Sequence, residues 1–272
     1  MKLGVVSDVH WPRDASKPAT WHNSYEFGGL SGRLRAAVER FDAARVDALL
    51  VLGDLSHDGD AESLLAVITA LGAARSRLWA LPGNHDCEER DDQLVRVAAG
   101  RAAPLDHESW VQGGVKVTGV AIVTDPERGG MRADGHPDFA QCDLVVLATH
   151  FPVISRAAAL TERGLAYAGD LLDGPRIRAE LSASPAPVVA LSGHLHARDS
   201  TSEGGVLQLS AAALVEAPYE ISIVEILRSE RGWTVERSCS SLGDVGELNL
   251  PVLSPAFERW SWSGSAWIAD ER

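Results

Sequence analysis

Short apolar runs recur along most of the chain. Each contains almost no polar residue and stops at a cluster of Gly, Ser, Thr, Asp, Asn or His. The five clearest runs comprise residues 3–6, 48–52, 77–81, 144–148 and 188–191. Near-continuous hydrophobicity, without alternating polar positions, is typical of strands that are covered on both faces. The pattern therefore predicts five buried β-strands.

The stretches between the early runs have the periodicity of amphipathic helices. They comprise residues 32–44 with Ser31 as N-cap, 61–74 with Asp60 as N-cap, and about 175–181 with Asp173 near the start. Ser and Asp side chains accept hydrogen bonds from the free N–H groups of a first helical turn. Strands that alternate with helices predict βα units and a mainly parallel sheet.

Later apolar runs predict a second sheet stacked on the first. These runs comprise residues 115–123, 206–209, 221–226 and 233–237. The chain has 272 residues, 45% of them hydrophobic and 23% charged, and no internal repeat marks a linker. This length and composition favour a single α/β domain over residues 1–272.

The tail from about residue 242 to 272 has a different composition. It is rich in Pro, Ser and Gly and includes Trp260, Trp262 and Trp267. Tryptophan is enriched both in cores and in interfaces. We interpret this segment as a C-terminal arm that packs on the domain or joins copies into a homo-oligomer.

Charge and cysteine content restrict the partners and the compartment. A formal net charge of −13 would repel the backbone of a long nucleic acid, which is therefore not expected as a partner. Cys87, Cys142 and Cys239 are widely spaced and odd in number, so we expect no disulfide framework and a reducing cytoplasm. No stretch approaches the ~20 apolar residues that span a bilayer, so no membrane partner is expected.

Side chains that can bind metal follow all five apolar runs. They are Asp8 and His10, then Asp54, then Asn84 with His85, then His150, and finally His194 and His196. The carboxyl ends of parallel strands lie along one sheet edge, so these residues are expected to meet there. Gly53, Gly83 and Gly193 precede three of the motifs, as expected where the backbone turns sharply beside a crowded site.

The donor atoms are oxygen and imidazole nitrogen, without thiolate. This set suits Mn, Fe, Zn or Co better than a structural zinc site built from cysteine. Seven side chains exceed what one tetrahedral ion can use, and a carboxylate such as Asp54 has two oxygens with which to bridge two ions. The predicted cofactor is a pair of divalent or trivalent transition-metal ions.

The ordered motifs Asp8-x-His10, Gly53-Asp54, Gly83-Asn84-His85-Asp86, His150 and Gly193-His194-x-His196 resemble those of the calcineurin-like metallophosphoesterase superfamily. Within that superfamily, the chain looks most like the class III cyclic nucleotide phosphodiesterases. The resemblance implies a four-layer αββα sandwich with two stacked mixed sheets. It also implies two ligand groups that share one aspartate, namely Asp8, His10, Asp54 and His196, and Asp54, Asn84, His150 and His194.

The implied activity is metal-dependent hydrolysis of a small phosphodiester, with a cyclic nucleotide as one candidate. A hydroxide that bridges the metals would attack phosphorus, Asn84 would help to stabilise the transition state, and His85 would protonate the leaving group. A phosphomonoesterase, a nucleotide pyrophosphatase and a non-catalytic scaffold of the same fold are the alternatives.

The sequence allows alternative roles for several residues near the motifs. In related Ser/Thr phosphatases an Asp pairs with the catalytic histidine, but His57 occupies that position here, so Asp58, Asp86 or neither orients His85. Aromatic residues of the loop after the first motif would contact a nucleobase or only pack the loop; they are Trp11, Trp21 and Tyr25, with His22 beside them. Arg156 and Arg163 would bind phosphate oxygens or lie on the surface.

Overall fold

Two β-sheets stack face to face, and helices cover their outer faces. A computed structural model describes residues 1–87, 93–98, 100–105, 108–139, 142–167, 169–230, 232–245 and 251–270. In these residues the helices are α1 Leu30–Ala44, α2 Ala61–Leu71, α3 Gln93–Ala98, α4 Ala157–Glu162 and α5 Gly174–Ser182. The strands are β1 Lys2–Val6, β2 Ala48–Leu52, β3 Arg77–Leu81, β4 Ala103–Pro104, β5 Trp110–Gln112, β6 Val115–Gly119, β7 Ala121–Thr124, β8 Met131–Asp134, β9 Leu144–Thr149, β10 Val188–Ser192, β11 Asp199–Glu203, β12 Val206–Ser210, β13 Glu220–Ser229, β14 Gly232–Ser241, β15 Phe257–Trp262 and β16 Trp267–Ala269.

Both sheets are mixed. Within the described chain, the first has the order β16-β15-β14-β13-β1-β2-β3-β4 and the second has the order β11-β12-β10-β9-β6-β5. The strands that carry the motifs run parallel to their motif-bearing neighbours: β1 with β2, β2 with β3, and β9 with β10. Their ends are in register, because Val6 pairs with Val51, Leu52 with Leu81, and Thr149 with Ser192. Within each sheet, the motif residues therefore follow strand ends that lie side by side.

Three apolar layers hold the sandwich together. Leu50 and Leu52 of β2 pack in the core between the sheets, whereas Leu49 and Val51 pack under α1 and α2. A third layer lies between the second sheet, α5 and the β7-β8 hairpin, and it includes Ile177. Because β2 is buried on both faces, its run of apolar residues has no polar alternation. The predicted αββα sandwich with two stacked mixed sheets is confirmed. The strands are divided differently from the prediction, because β13 and β14 join the first sheet whereas β9 and β10 belong to the second.

Several predicted boundaries differ from the structure. Helix α1 begins at Leu30, directly after a 3-10 turn at Phe27–Gly29, so Gly29 and not Ser31 is its N-cap residue. Helix α2 has the predicted cap, in which Asp60 accepts a hydrogen bond from the N–H of Ser63. It ends at Leu71 rather than at residue 74, because Gly72 follows as C-cap.

The run at residues 115–123 is not one strand. The chain leaves the second sheet after Gly119, and residues 121–124 pair with β8 in a separate hairpin. A continuous apolar run cannot reveal such a break, because both pieces are largely buried.

The C-terminal arm adds β15 and β16 to the edge of the first sheet. The Trp267 ring is buried in the core between the sheets, and its Nε1 donates to the Val188 carbonyl at 3.0 Å. These contacts are those of a packing arm, and the homo-oligomer remains a prediction. No helix in the described residues is long and apolar enough to cross a bilayer.

Candidate metal centre

The motif-bearing loops of both sheets meet at one end of the sandwich. Backbone hydrogen bonds hold them together: the Asp8 N–H donates to the Gly53 carbonyl at 3.1 Å, and the His10 N–H donates to the Asp54 carbonyl at 2.9 Å. On the second sheet, the Gly193 N–H donates to the His150 carbonyl at 3.0 Å. Residues that are far apart in the sequence thereby share one site.

One group of donor atoms combines three residues that follow strands of the first sheet with one that follows β10 of the second. Its ligand atoms lie within 4.8 Å of one another and belong to buried side chains, namely Asp8, His10, Asp54 and His196. The His10 and His196 Nε2 atoms are 3.1 Å apart. Nε2 of His196 lies 3.4 Å from Asp8 Oδ1, and Nε2 of His10 lies 3.4 Å from Asp54 Oδ2. This group has the same four members as the first ligand set that the resemblance implies.

A second group of donor atoms converges beside the first. Oδ1 of Asn84 lies 3.1 Å from Nε2 of His150 and 3.1 Å from Nδ1 of His194. Nε2 of His150 is also 3.3 Å from Asp54 Oδ2, the oxygen that faces His10 in the first group. All seven predicted ligands are therefore brought together, and one Asp54 oxygen is common to both groups.

The spacing of these atoms fits a transition-metal ion. Two ligand atoms bound at ~2.1 Å are about 3.0 Å apart at a right angle and about 3.4 Å apart at the tetrahedral angle. The observed separations of 3.1, 3.3 and 3.4 Å fall in this interval. Nitrogen and oxygen donors of this kind suit Mn, Fe or Zn. Each group could hold one ion.

The backbone is strained at five of the proposed ligands. Positive φ angles outside glycine occur at Asp8 (53°), His10 (47°), Asp54 (50°), His194 (68°) and His196 (51°). Such angles cost about 1–3 kcal/mol each and persist only where the surroundings enforce them. In the described residues only two other non-glycine residues have positive φ angles. The strain is therefore concentrated where the side chains must turn inward.

Two glycines are required by close packing around the site. A Cβ at Gly83 would overlap the carboxylate and backbone nitrogen of Asp54. A Cβ at Gly193 would overlap Ser7 Oγ and lie 2.8 Å from Asp8 Oδ2. The predicted close approach of backbone to the site is confirmed at both positions.

Buried carboxylates shape the electrostatics of the site. Burial alone would lower the pKa of His150, but the nearby Asp54 and Asp8 raise it to about 9. Burial likewise opposes the charge of His196, but Asp8 and Glu216 raise its pKa to about 10. Burial and the neighbouring His150 lower the pKa of His194 to about 3. The field of the carboxylates therefore favours cations in this site.

Two buried carboxylates support the site without belonging to the predicted ligands. Asp86 accepts hydrogen bonds from the N–H groups of Leu55, Ser56 and Gly83, and thus joins two motif loops. Glu216 is fully buried and contacts Nδ1 of His196 at 2.6 Å. Sequence reasoning missed Glu216, although a lone carboxylate within an otherwise apolar segment, residues 211–217, is a signal of a buried partner.

The orientation of His85 is set by a backbone carbonyl. Its Nδ1 donates to the carbonyl oxygen of His57 at 2.9 Å, and its backbone N–H donates to Asp54 Oδ1. The His57 ring stacks on the His85 ring with a centroid distance of 5.3 Å. Asp86 is committed to backbone N–H groups, and Asp58 accepts from the Arg13 N–H at the surface. The His57 carbonyl, rather than Asp58 or Asp86, therefore orients His85.

The loop after the first motif lies against the first ligand group. The Tyr25 ring stacks on the His196 ring with a centroid distance of 5.7 Å, and the Trp21 ring lies 6.4 Å from the same ring. Nε2 of His22 contacts the Leu195 carbonyl at 2.8 Å. The loop is thus packed on the site, and its contact with a nucleobase stays a prediction.

The two arginines considered for phosphate binding lie in different surroundings, and their contact with phosphate stays a prediction. Arg156 pairs with the buried carboxylate of Asp199, and Arg163 is the C-cap of α4. Cys87 is buried, and all three cysteines are free thiols.

An αββα sandwich with clustered Asp, His and Asn side chains at its strand ends defines a candidate metal-dependent hydrolase. The calcineurin-like phosphoesterase family profile matches residues 1–198. The chain therefore belongs to the calcineurin-like phosphoesterase family, and the predicted resemblance is confirmed. The predicted enzyme class, a phosphoric ester hydrolase, agrees with this membership.

One curated relative from Nostoc sp. is named as a 3′,5′-cyclic-nucleotide phosphodiesterase. It is 26% identical over 170 residues, which are 59% of this chain and 60% of the relative. The match thus spans less than two thirds of that relative's length.

Solved structures share the fold at low identity. A dimetal phosphatase from Danio rerio has a TM-score of 0.65 and 14% identity, and the alignment covers 87% of this chain and 94% of that one. An anchor protein in the inner membrane complex of Plasmodium has a TM-score of 0.53 and 9% identity, with coverage of 92% and 89%. Since a phosphatase and an anchor both have this fold, the fold does not by itself define an activity.

Proposed function

We propose that the protein is a binuclear metal-dependent phosphodiesterase. The proposal depends mainly on the position of Asp54 Oδ2. This oxygen lies 3.4 Å from Nε2 of His10 in one donor group and 3.3 Å from Nε2 of His150 in the other. One ion would be held by Asp8, His10, Asp54 and His196, and the second by Asp54, Asn84, His150 and His194. When bound, two such ions lower the pKa of a water molecule and neutralise charge on phosphoryl oxygens.

The protein residues divide into a buried side and an open side. Asp8, His10 and His150 are almost fully buried, whereas Asn84 and His85 are partly exposed. A phosphoester therefore approaches from the side of Asn84 and His85. There the Asn84 amide can donate a hydrogen bond to a phosphoryl oxygen while its carbonyl oxygen faces the histidines.

His85 is placed to transfer a proton to the leaving group. Because its Nδ1–H is donated to the His57 carbonyl, proton transfer to substrate is assigned to Nε2. Its backbone N–H, donated to Asp54 Oδ1, holds the ring beside the centre. The edge-to-face contact with His10, with a centroid distance of 4.7 Å, restricts the ring further.

A diester, with cyclic nucleotides as the first candidates, is the proposed substrate. The proposal is supported by the name of the Nostoc relative and by the Trp21 and Tyr25 rings beside the centre. The net charge of −13 weighs against a long nucleic acid, whose many phosphates need a basic surface. Monoesters and nucleotide pyrophosphates are the other substrates to be compared, and a scaffold without activity is the remaining alternative.

The test is a substrate panel on protein first stripped with a chelator. The stripped protein is reloaded separately with Mn²⁺, Fe²⁺, Zn²⁺ or Mg²⁺ and given 3′,5′-cyclic nucleotides, a nitrophenyl diester, a monoester and a nucleotide pyrophosphate. We expect metal-dependent hydrolysis with the highest kcat/KM for a diester. A preference for the monoester or pyrophosphate would overturn the substrate class, and no hydrolysis with any metal would overturn the enzymatic function.

A further inference from the structure

A fully buried carboxylate connects a proposed metal ligand to the loop that covers it. Oε1 of Glu216 lies 2.6 Å from Nδ1 of His196, and Oε2 of the same carboxylate accepts the backbone N–H of Asn23. The Glu216 side chain has no solvent exposure. A buried charge must be compensated, and here both compensating donors are known.

The two contacts have different consequences. When Nδ1–H of His196 is donated to Glu216, the other ring nitrogen, Nε2, is left to face Asp8 and His10. This is the nitrogen that the first ion would use. The contact with Asn23 instead concerns the covering loop, here residues 20–26.

The segment around Glu216 also holds the covering loop by its backbone. The Glu26 N–H donates to the Val215 carbonyl at 2.8 Å, and the Asn23 side-chain amide donates to the Ala217 carbonyl at 3.4 Å. Tyr25, between these two contacts, stacks on the ring of His196. The covering loop and the histidine are therefore fixed by the same short stretch of chain.

We propose that Glu216 is a positioning residue that orients His196 for metal binding and simultaneously tethers the covering loop. The orientation of His196 rests on the proposed metal-dependent function, whereas the tethering of the loop does not. Since one carboxylate serves both partners, loss of its charge weakens the metal site and loosens the loop together. Because the same carboxylate holds both groups, metal binding that fixes the His196 ring against Glu216 is expected to restrain the loop as well.

The test compares Glu216→Gln with the matched control Glu220→Gln. Glutamine has nearly the same shape but only one acceptor atom, so its NH₂ group must face one of the two N–H donors. Its carbonyl oxygen can accept from the other donor only in a neutral hydrogen bond, so both contacts are weakened. Glu220 is also buried and lies in the same part of the chain, but it pairs with Arg198 rather than with a proposed ligand. The control therefore removes a buried charge without touching His196.

Metal affinity is measured by competition with a chelator, using Mn²⁺ as the probe. We expect Glu216→Gln to lower the affinity for one of the two ions by about 10- to 100-fold, with the other ion less affected. Glu220→Gln should leave both affinities near those of the wild type. Equal losses in the two variants, or no loss in Glu216→Gln, would overturn the role of Glu216 at the metal site.

Hydrogen exchange of metal-free protein tests the tether independently of metal binding. Peptides covering residues 20–26 should exchange about tenfold faster in Glu216→Gln than in the wild type, because the hydrogen bond from Asn23 to a charged carboxylate is lost or becomes a weaker neutral one. Unchanged exchange there would overturn the tether. If the wild type takes up no metal ion, the proposed function fails. Hydrogen exchange of the metal-free wild type and variant still shows whether Glu216 tethers the covering loop.

Wild-type protein provides a second test that needs no substitution. Loading with Mn²⁺ should slow exchange in the peptides of residues 20–26. Exchange that is the same with and without metal would contradict the coupling between His196 and the covering loop.

Discussion

Asp54 and His150 lie 3.3 Å apart, from Oδ2 to Nε2, although they follow strands in different sheets. Asp54 follows β2 of the first sheet, and His150 follows β9 of the second. The same Asp54 oxygen faces His10, which follows β1. The donor groups therefore bridge the two halves of the sandwich, and Asp54 is the point at which they join.

Replacing the shared ligand should be more damaging than replacing one that serves a single group. Asp54→Ala removes an oxygen that faces both groups and should reduce the binding of both ions. Asn84→Ala removes a donor of the second group alone and should weaken mainly one ion. Elemental analysis of both variants after metal loading checks this difference. Equal loss of both ions in the two variants would contradict the assignment of Asp54 as the bridge.

His85→Ala should lose activity without losing metal. A general acid typically contributes ~10²- to 10⁴-fold, and its contribution grows as the leaving group becomes more basic. Activity toward a ribose or alkyl ester should fall by this amount, whereas activity toward a nitrophenyl ester should fall far less. His136→Ala, at an exposed histidine that pairs with Glu180, is the control and should retain activity toward both esters. Equal loss toward both esters with metal retained would show that His85 positions the phosphoryl group instead.

Trp21 provides a test of nucleobase recognition. If its ring supports a base beside the centre, Trp21→Ala should reduce kcat/KM for nucleotide diesters by about 10- to 100-fold, because a base stacked on an aromatic ring contributes roughly 1–3 kcal/mol. The nitrophenyl diester should be little affected. Trp260→Ala, in the C-terminal arm, is the control. A wild type that does not distinguish the two kinds of diester would indicate a non-nucleotide substrate.

Asp86 should be important for stability rather than for leaving-group chemistry. Asp86→Asn replaces an acceptor of three backbone N–H groups by an amide, which leaves at least one buried donor unsatisfied. The free energy of unfolding should fall by about 1–3 kcal/mol, as measured by urea denaturation. Asp58→Asn, at a surface acceptor, should change it by about 0.5 kcal/mol or less. Similar effects of the two substitutions would contradict the anchoring role of Asp86.

The sequence could predict which metal-binding side chains lie at the ends of strands. Asp8 and Asp54 follow neighbouring parallel strands of the first sheet, and His150 follows a strand that is parallel to β10 in the second sheet, so pairing in register gathers the motifs of each sheet at one edge. The stacking of the two sheets, which brings the two edges together, is not contained in the pattern. The sequence also predicted a crowded site beside Gly83 and Gly193, and a side chain at either position would overlap the site. The positions of the apolar runs thus predicted which motif residues cluster at the strand ends.

Other features depend on contacts between distant segments, which a local pattern does not contain. Glu216 reaches His196 through the packing of residues 211–217 beside the first motif, and the His57 carbonyl meets His85 through a loop conformation. Strands β15 and β16 were not predicted, because the tail lacks long apolar runs and its pairing with β14 is decided by tertiary packing. The positive φ angles at the ligands are likewise imposed by the assembled site.

The central claim, a binuclear centre, is tested most directly by the number of metal ions bound per chain. Wild-type protein is stripped with a chelator, reloaded with Mn²⁺, freed of excess metal and analysed for metal and protein content. The account predicts two ions per chain, in agreement with two donor groups that share Asp54. One ion per chain, or none, would contradict it.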